Sequence, residues 1–150
     1  MTSSDLKLGY ERVFTVTDYF DGPRQGIANF QGQPHFYECI FDEVVDEYSD
    51  SYQLTPINGA IFDLAKEDWA IWQRWELAFH TGKATIESHP ALPQDRARHE
   101  EIRTIVDPAL KTDGNHCIIR AGLFETIGPS ELPKGVQRPL QVRWTEPEHG

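Results

Sequence analysis

Residues 26–41 read Gly-Ile-Ala-Asn-Phe-Gln-Gly-Gln-Pro-His-Phe-Tyr-Glu-Cys-Ile-Phe. Two apolar arms flank Gln31-Gly32-Gln33-Pro34, a run of turn formers, so the stretch predicts a β-hairpin. In the second arm His35, Tyr37, Cys39 and Phe41 alternate with Phe36, Glu38 and Ile40. The first set is the more apolar face and is expected to look inward.

Working outward, residues 10–16 are aromatic and β-branched (Val13, Phe14, Thr15, Val16) and predict a strand that Asp21-Gly22-Pro23 ends. The acidic segment 42–51 reads as a loop, and residues 52–57 as a short fourth strand. Asn58-Gly59 signals a turn or a helix entry.

The periodicity then changes. Over residues 60–81, Phe62, Ala65, Trp69, Trp72, Glu76 and Phe79 recur at helical spacing, and Leu64, Ile71, Trp75 and Ala78 broaden the stripe. Gly82 suits the left-handed residue just past a helix end. Residues 88–93 contain Pro90 and Pro93 and predict an extended link. Pro93 can open a second helix, whose apolar side is Ile102, Ile105 and Val106 and which Asp107-Pro108 is expected to stop.

Two strands close the chain. In residues 117–124 the apolar alternation is carried by Cys117, Ile119, Ala121 and Leu123; the last strand alternates through Leu140, Val142 and Trp144. Residues 128–139 hold three prolines and two glycines and predict a loop. The element order is ββββ-αα-ββ. It predicts an α+β fold, with an antiparallel sheet or a small curved β-barrel and a helix pair packed on one side. Closure of the four N-terminal strands on themselves, with the helices as an appendage, is the alternative. The 150 residues are expected to form one domain, with loose ends at about 1–8 and 146–150.

With 39% hydrophobic residues the chain is too apolar for disorder, and no run approaches the roughly 18 apolar residues of a membrane helix. The start, Met1-Thr2-Ser3-Ser4-Asp5, does not resemble a secretory signal, and Cys39 and Cys117 are too few for a disulfide framework. These features set the expectation of a cytoplasmic protein with buried free thiols. The net charge is −10, and between Arg24 and Lys66 seven acids (Glu38, Asp42, Glu43, Asp46, Glu47, Asp50, Asp63) stand with no Lys or Arg. Such a field disfavours direct nucleic-acid binding and favours a basic partner or a cation.

Catalytic motifs are missing. Gly82-Lys83 has Ala78 where a phosphate loop needs glycine, and His99-Glu100-Glu101-Ile102-Arg103 has arginine where a metalloprotease helix needs its second histidine. Three constellations remain. Glu76, set in the apolar stripe, must pair with a cation, move its pKa upward or lie at the stripe's rim; Arg120 and Arg143 are candidate partners. His80 and His89 could approach each other across the link between the helices, where Glu76 and Glu87 could join them as zinc or iron ligands. Trp69, Trp72 and Trp75 cannot all face one way, so one of them, Trp72, is a candidate binding residue; filling a thin core is the alternative role.

The leading expectation is a non-enzymatic protein-binding or regulatory module. It would use Trp72, Asp42, Glu43, Asp46 and Glu47 against a basic partner or a second copy of itself. The alternative is a small metal-dependent hydrolase or lyase with Glu76 and His80 as catalytic groups and His80 and His89 as metal ligands. Asp18, Asp21 and Arg24, around the Asp-Gly-Pro-Arg turn, would then add substrate contacts.

Overall fold

The computed structural model of the chain describes residues 6–127 and 132–147. Among them are β1 (Glu11–Tyr19), β2 (Pro23–Phe30), β3 (Gln33–Asp42), β4 (Glu47–Pro56), α1 (Gly59–His80), α2 (Arg96–Ala109), β5 (Ile118–Thr126) and β6 (Leu140–Thr145). The strand and helix order is the one the periodicity predicts. The chain divides into two compact units: a barrel made of residues 6–58, 111–127 and 139–147, and a helix pair made of residues 59–110 with residues 132–138.

The six strands close in chain order into an antiparallel barrel, with β4 paired to β5 and β1 to β6. Closure therefore uses the last two strands and not the first four alone. It satisfies the backbone groups that open edge strands would leave exposed. The interior is aromatic. Tyr37, fully buried, lies 5.9 Å from Tyr52, 5.3 Å from Phe124 and 6.3 Å from Trp144, centroid to centroid. Its hydroxyl donates to the Thr15 carbonyl at 3.0 Å, directly over Gly26. The Trp144 indole N–H donates to the Asn29 carbonyl at 2.8 Å. His35, Tyr37 and Cys39 are buried, as their alternation predicts, but Phe36 of the opposite set is buried as well.

Two strands differ from their sequence pattern. The inward face of β5 is not Ile119 and Leu123, which are 43% and 53% exposed. Ile118 and Phe124 face the core instead. Gly122 shares their phase and hides the signal, because the Trp144 and Tyr52 rings fill the space where its side chain would stand. The acidic segment 42–51 is also not a loop. Asp42 pairs with Glu47 and Phe41 with Tyr48 across a tight β3–β4 turn, and β4 begins at Glu47. A register irregularity between Cys39 and Phe41 turns Phe41 off the interior face, where it is 42% exposed.

In the other unit α1 and α2 run antiparallel. Later residues of α1 meet earlier residues at the α2 end: Glu67 and Asp68 pair with Arg98 and His99, and Arg74 with Asp95, at 2.6, 2.7 and 2.9 Å. Ile71 and Trp75 of α1 and Ile102 and Val106 of α2 are buried. Gly82 has φ +79°; its N–H bonds Phe79 and that of Lys83 bonds Ala78, a cap that satisfies two end carbonyls of α1. The expected stop at Asp107-Pro108 is passed, because α2 reaches Ala109 with Pro108 in its last turn. Pro108 lacks one N–H, but that of Leu110 still bonds the Val106 carbonyl. Ile105 is exposed, and the link contains two short 3₁₀ turns, Ile86–Ser88 and Pro93–Asp95, in place of a wholly extended path.

The expected loose ends fall mostly outside the described residues. Residue 7 is already tied to the barrel: the Lys7 backbone N–H donates to Gln141 and its ammonium pairs with Glu125 at 2.6 Å.

Candidate functional site

The β1–β2 and β3–β4 turns lie at one end of the barrel. In the second, the Asp42 carboxylate accepts the Val44 and Val45 N–H groups at 2.9 and 3.4 Å, and Asp46 adopts a left-handed φ of 57°. That local chemistry turns the two valines outward, leaving Val44 93% and Val45 57% exposed. In the first turn Asp21 and Gly22 have φ of 54° and 135°, and Phe20 is 68% exposed.

Arg24 ties the two turns together. Its Nε donates to the Phe20 carbonyl at 2.7 Å, its Nη2 to the Asp21 carbonyl at 2.9 Å and its Nη1 to the Cys39 sulfur at 3.4 Å. The guanidinium lies 4.4 Å from the Tyr48 ring centroid. Phe41 packs edge-on against Tyr48 at 5.0 Å, and Phe20 is 6.3 Å from the same ring. Burial pushes the Cys39 thiol pKa up, and the nearby Arg24 pulls it part of the way back.

Beneath these turns opens a pocket of about 490 Å³. Its walls include Arg24, Tyr48, Tyr52 and Phe124, with Gly122 set among them and Asp21, Glu47 and Asp50 contributing carboxylates. Burial raises the Tyr52 pKa, and the hydroxyl donates to the Pro23 carbonyl at 2.9 Å.

The carboxylates at this end are not engaged in ion pairs. Among the described residues, none of Asp21, Asp42, Glu43, Asp46, Glu47 and Asp50 makes an ion pair. Several acids elsewhere are committed: Glu67, Asp95 and Asp107 pair with arginines, Asp68 meets His99 and Arg103, and Glu11 holds the N–H groups of Gln31 and Gly32 at the β2–β3 turn.

The structure thus brings together Asp42, Glu43, Asp46 and Glu47, and places Asp21 and Arg24 in the adjoining pocket, whose described lining does not include Asp18. Trp72 belongs to the helix pair, half-buried and stacked on Trp69 at 4.7 Å. Within the barrel unit, the aromatic residues beside these acids are Phe20, Phe41 and Tyr48. Reading residues 42–51 as a loop conceals Tyr48; the period-two run Tyr48, Asp50, Tyr52 is the signal that reveals it.

Glu76, His80 and His89 all lie in the helix unit. Glu76 is buried and its carboxylate accepts the backbone N–H of Gln137; Arg120 is paired with Glu146 at 3.5 Å. Burial raises the Glu76 pKa from its ordinary value of 4.5, against the opposing pull of the Gln137 N–H and of His80. His80 is exposed, edge-on to Phe79 at 5.2 Å and close against Gly135. His89 is exposed and edge-on to Trp75 at 4.6 Å. Trp75 and Phe79 stack on each other, so each imidazole packs on a different ring of that stack. Among the described residues no three His, Cys, Asp or Glu side chains converge as metal ligands, His80, His89, Glu76 and Glu87 included.

Glu76→Gln keeps an acceptor for the Gln137 N–H and removes the charge that burial penalises. It should therefore leave stability unchanged or raise it by up to about 1 kcal/mol at pH 7, whereas Glu76→Leu, which orphans that N–H, should cost about 1–3 kcal/mol. Because the folded-state pKa is raised, the Gln variant's advantage is full above that pKa and vanishes as pH falls through it toward 4.5. Urea unfolding of the three proteins across this range is the measurement. A Gln variant much less stable than the parent at pH 7 would show that the carboxylate charge itself is needed.

Comparison of the chain with known protein families, curated proteins and solved structures returned no match.

Proposed function

We propose that this protein is a non-enzymatic docking module whose binding surface is the barrel end formed by the β1–β2 and β3–β4 turns, and that its partner presents a basic, apolar segment. The observation that carries the reading is the union of two features at one place. Phe20, Phe41, Val44 and Val45 are 68%, 42%, 93% and 57% exposed, and six carboxylates that have no ion-pair partner among the described residues surround them. Exposed apolar side chains ringed by one sign of charge suit an interface whose partner carries the other sign. Arg24 supports the reading by bracing the β1–β2 turn through Phe20 and Asp21 while packing on Tyr48 at the start of β4, which lowers the ordering cost of association.

The test uses a synthetic peptide alternating lysine and leucine, and a second in which glutamate replaces lysine. The first should bind in a salt-dependent manner and the second should not. Phe41→Ser with Val44→Ser should weaken binding about tenfold or more, the loss expected when apolar anchors are removed from an interface. Equal binding of both peptides, or no effect of the double variant, would overturn the proposal.

A metal-dependent hydrolase or lyase built on Glu76, His80 and His89 is the second reading. The raised pKa of Glu76 favours it, since a general acid needs such a shift. It ranks second because a backbone N–H already occupies the carboxylate.

A further inference from the structure

We infer that the pocket under the docking surface receives one lysine or arginine side chain of the partner, which makes it the site that sets specificity within the proposed interface. The inference rests on the docking reading above. A cationic side chain has an apolar stem and a charged head, and it is most stable where rings cover the stem and carboxylates meet the head. The pocket offers both. Tyr48, Tyr52 and Phe124 line it with rings, Tyr48 already carrying the Arg24 guanidinium on its ring. Asp21, Glu47 and Asp50 line the same space.

Among the described residues Arg24 is the one cation in the lining, and its Nε and both terminal nitrogens each donate to a neutral acceptor within the protein. It therefore braces the turns while neutralising none of the three acids by direct pairing. Three carboxylates against one guanidinium leave two negative charges in excess, which selects a cation over an anion. Its volume of about 490 Å³ exceeds that of one lysine or arginine side chain.

The test is a backbone-amide NMR titration of the whole chain with N-acetyl-lysine methylamide, its norleucine analogue and its glutamate analogue. The lysine compound should shift Ser49, Asp50 and Gly122 selectively, and the other two should not. In parallel, Glu47→Gln with Asp50→Asn should weaken the lysine–leucine peptide about tenfold, while Phe41→Ser with Val44→Ser tests the surface alone. Equal shifts with norleucine would make the pocket merely apolar, and shifts with glutamate would make Arg24 the recognition group; either overturns the inference, as does the absence of a lysine-selective shift. If the peptide loses affinity only in the Phe41/Val44 variant, the docking surface stands and the pocket inference falls. If the peptide binds no form of the protein, the docking reading itself has failed.

Discussion

Gly26→Ala is expected to destabilise the barrel by about 3 kcal/mol or more, enough to unfold many small domains at moderate temperature. A Cβ at position 26 would stand 2.1 Å from the Thr15 carbonyl oxygen, 2.9 Å from the Thr15 carbonyl carbon and 2.6 Å from the Tyr37 hydroxyl. The first two atoms are backbone in β1, which is paired to β2 at this level. The third is the buried end of the residue on which the interior rings converge, and it donates to that same Thr15 carbonyl. Relief therefore needs separation of β1 from β2, and displacement of the Tyr37 hydroxyl with it. Glycine is required here by close approach and not by backbone torsion. Gly59→Ala is the control, since no heavy atom lies within 4 Å of its added Cβ, and it should change stability by less than about 1 kcal/mol. Urea unfolding followed by far-ultraviolet circular dichroism reads both. An alanine at position 26 tolerated at a cost under about 1 kcal/mol would mean that β1 and β2 yield far more easily than a paired barrel should.

Trp75→Ala should cost about 3–5 kcal/mol, the range for deleting a large aromatic side chain from a packed site. Trp75 is 4% exposed, stacks on Phe79 at 5.0 Å with the rings 11° from parallel, and takes the edge of His89. Its indole N–H donates to Ser88 Oγ at 2.8 Å, and that hydroxyl donates to the Thr85 carbonyl. The ring thus joins α1 to the first 3₁₀ turn of the link by packing and by a hydrogen bond. Trp75→Phe keeps much of the stack and loses the bond, so it should cost about 1–2 kcal/mol beyond any repacking. Trp72→Ala, at a half-buried ring stacked only on Trp69 among the ring pairs described, should cost distinctly less. Equal losses at positions 72 and 75 would contradict this division of the tryptophans.

The proposed docking surface is partly legible in the amino-acid sequence. The window from Asp42 to Glu47 stands out because no base lies near it in the chain, and Asp21 and Arg24 stand out in a turn. Its aromatic members are harder to read. Trp72 attracts attention because tryptophan is rare and large, whereas Phe41 becomes a surface residue only because the β3–β4 register slips before it. Nothing in the alternation His35, Tyr37, Cys39, Phe41 announces that slip. Glu76 is similar. Its helical phase requires either a partner or a raised pKa, but the partner is a backbone N–H at position 137, which no side-chain pattern marks.

Local patterns in this chain determined what is local. They set the order of strands and helices, the length of α1 and its glycine cap, the burial of His35, Tyr37 and Cys39 in β3 and the concentration of negative charge. Hydrophobic period and the torsional freedom of glycine act over a few residues and can be read there. The tertiary structure alone decided the closure of β1 against β6, the phase of β5, and the absence of ion pairs at the rim acids among the described residues. Closure depends on pairing between opposite ends of the chain, as Glu11 does with Val142. The phase of β5 depends on Tyr52 and Trp144 filling the space above Gly122. The charge of the rim depends on where every arginine and lysine finally comes to rest, which is a property of the folded chain and not of any segment of it.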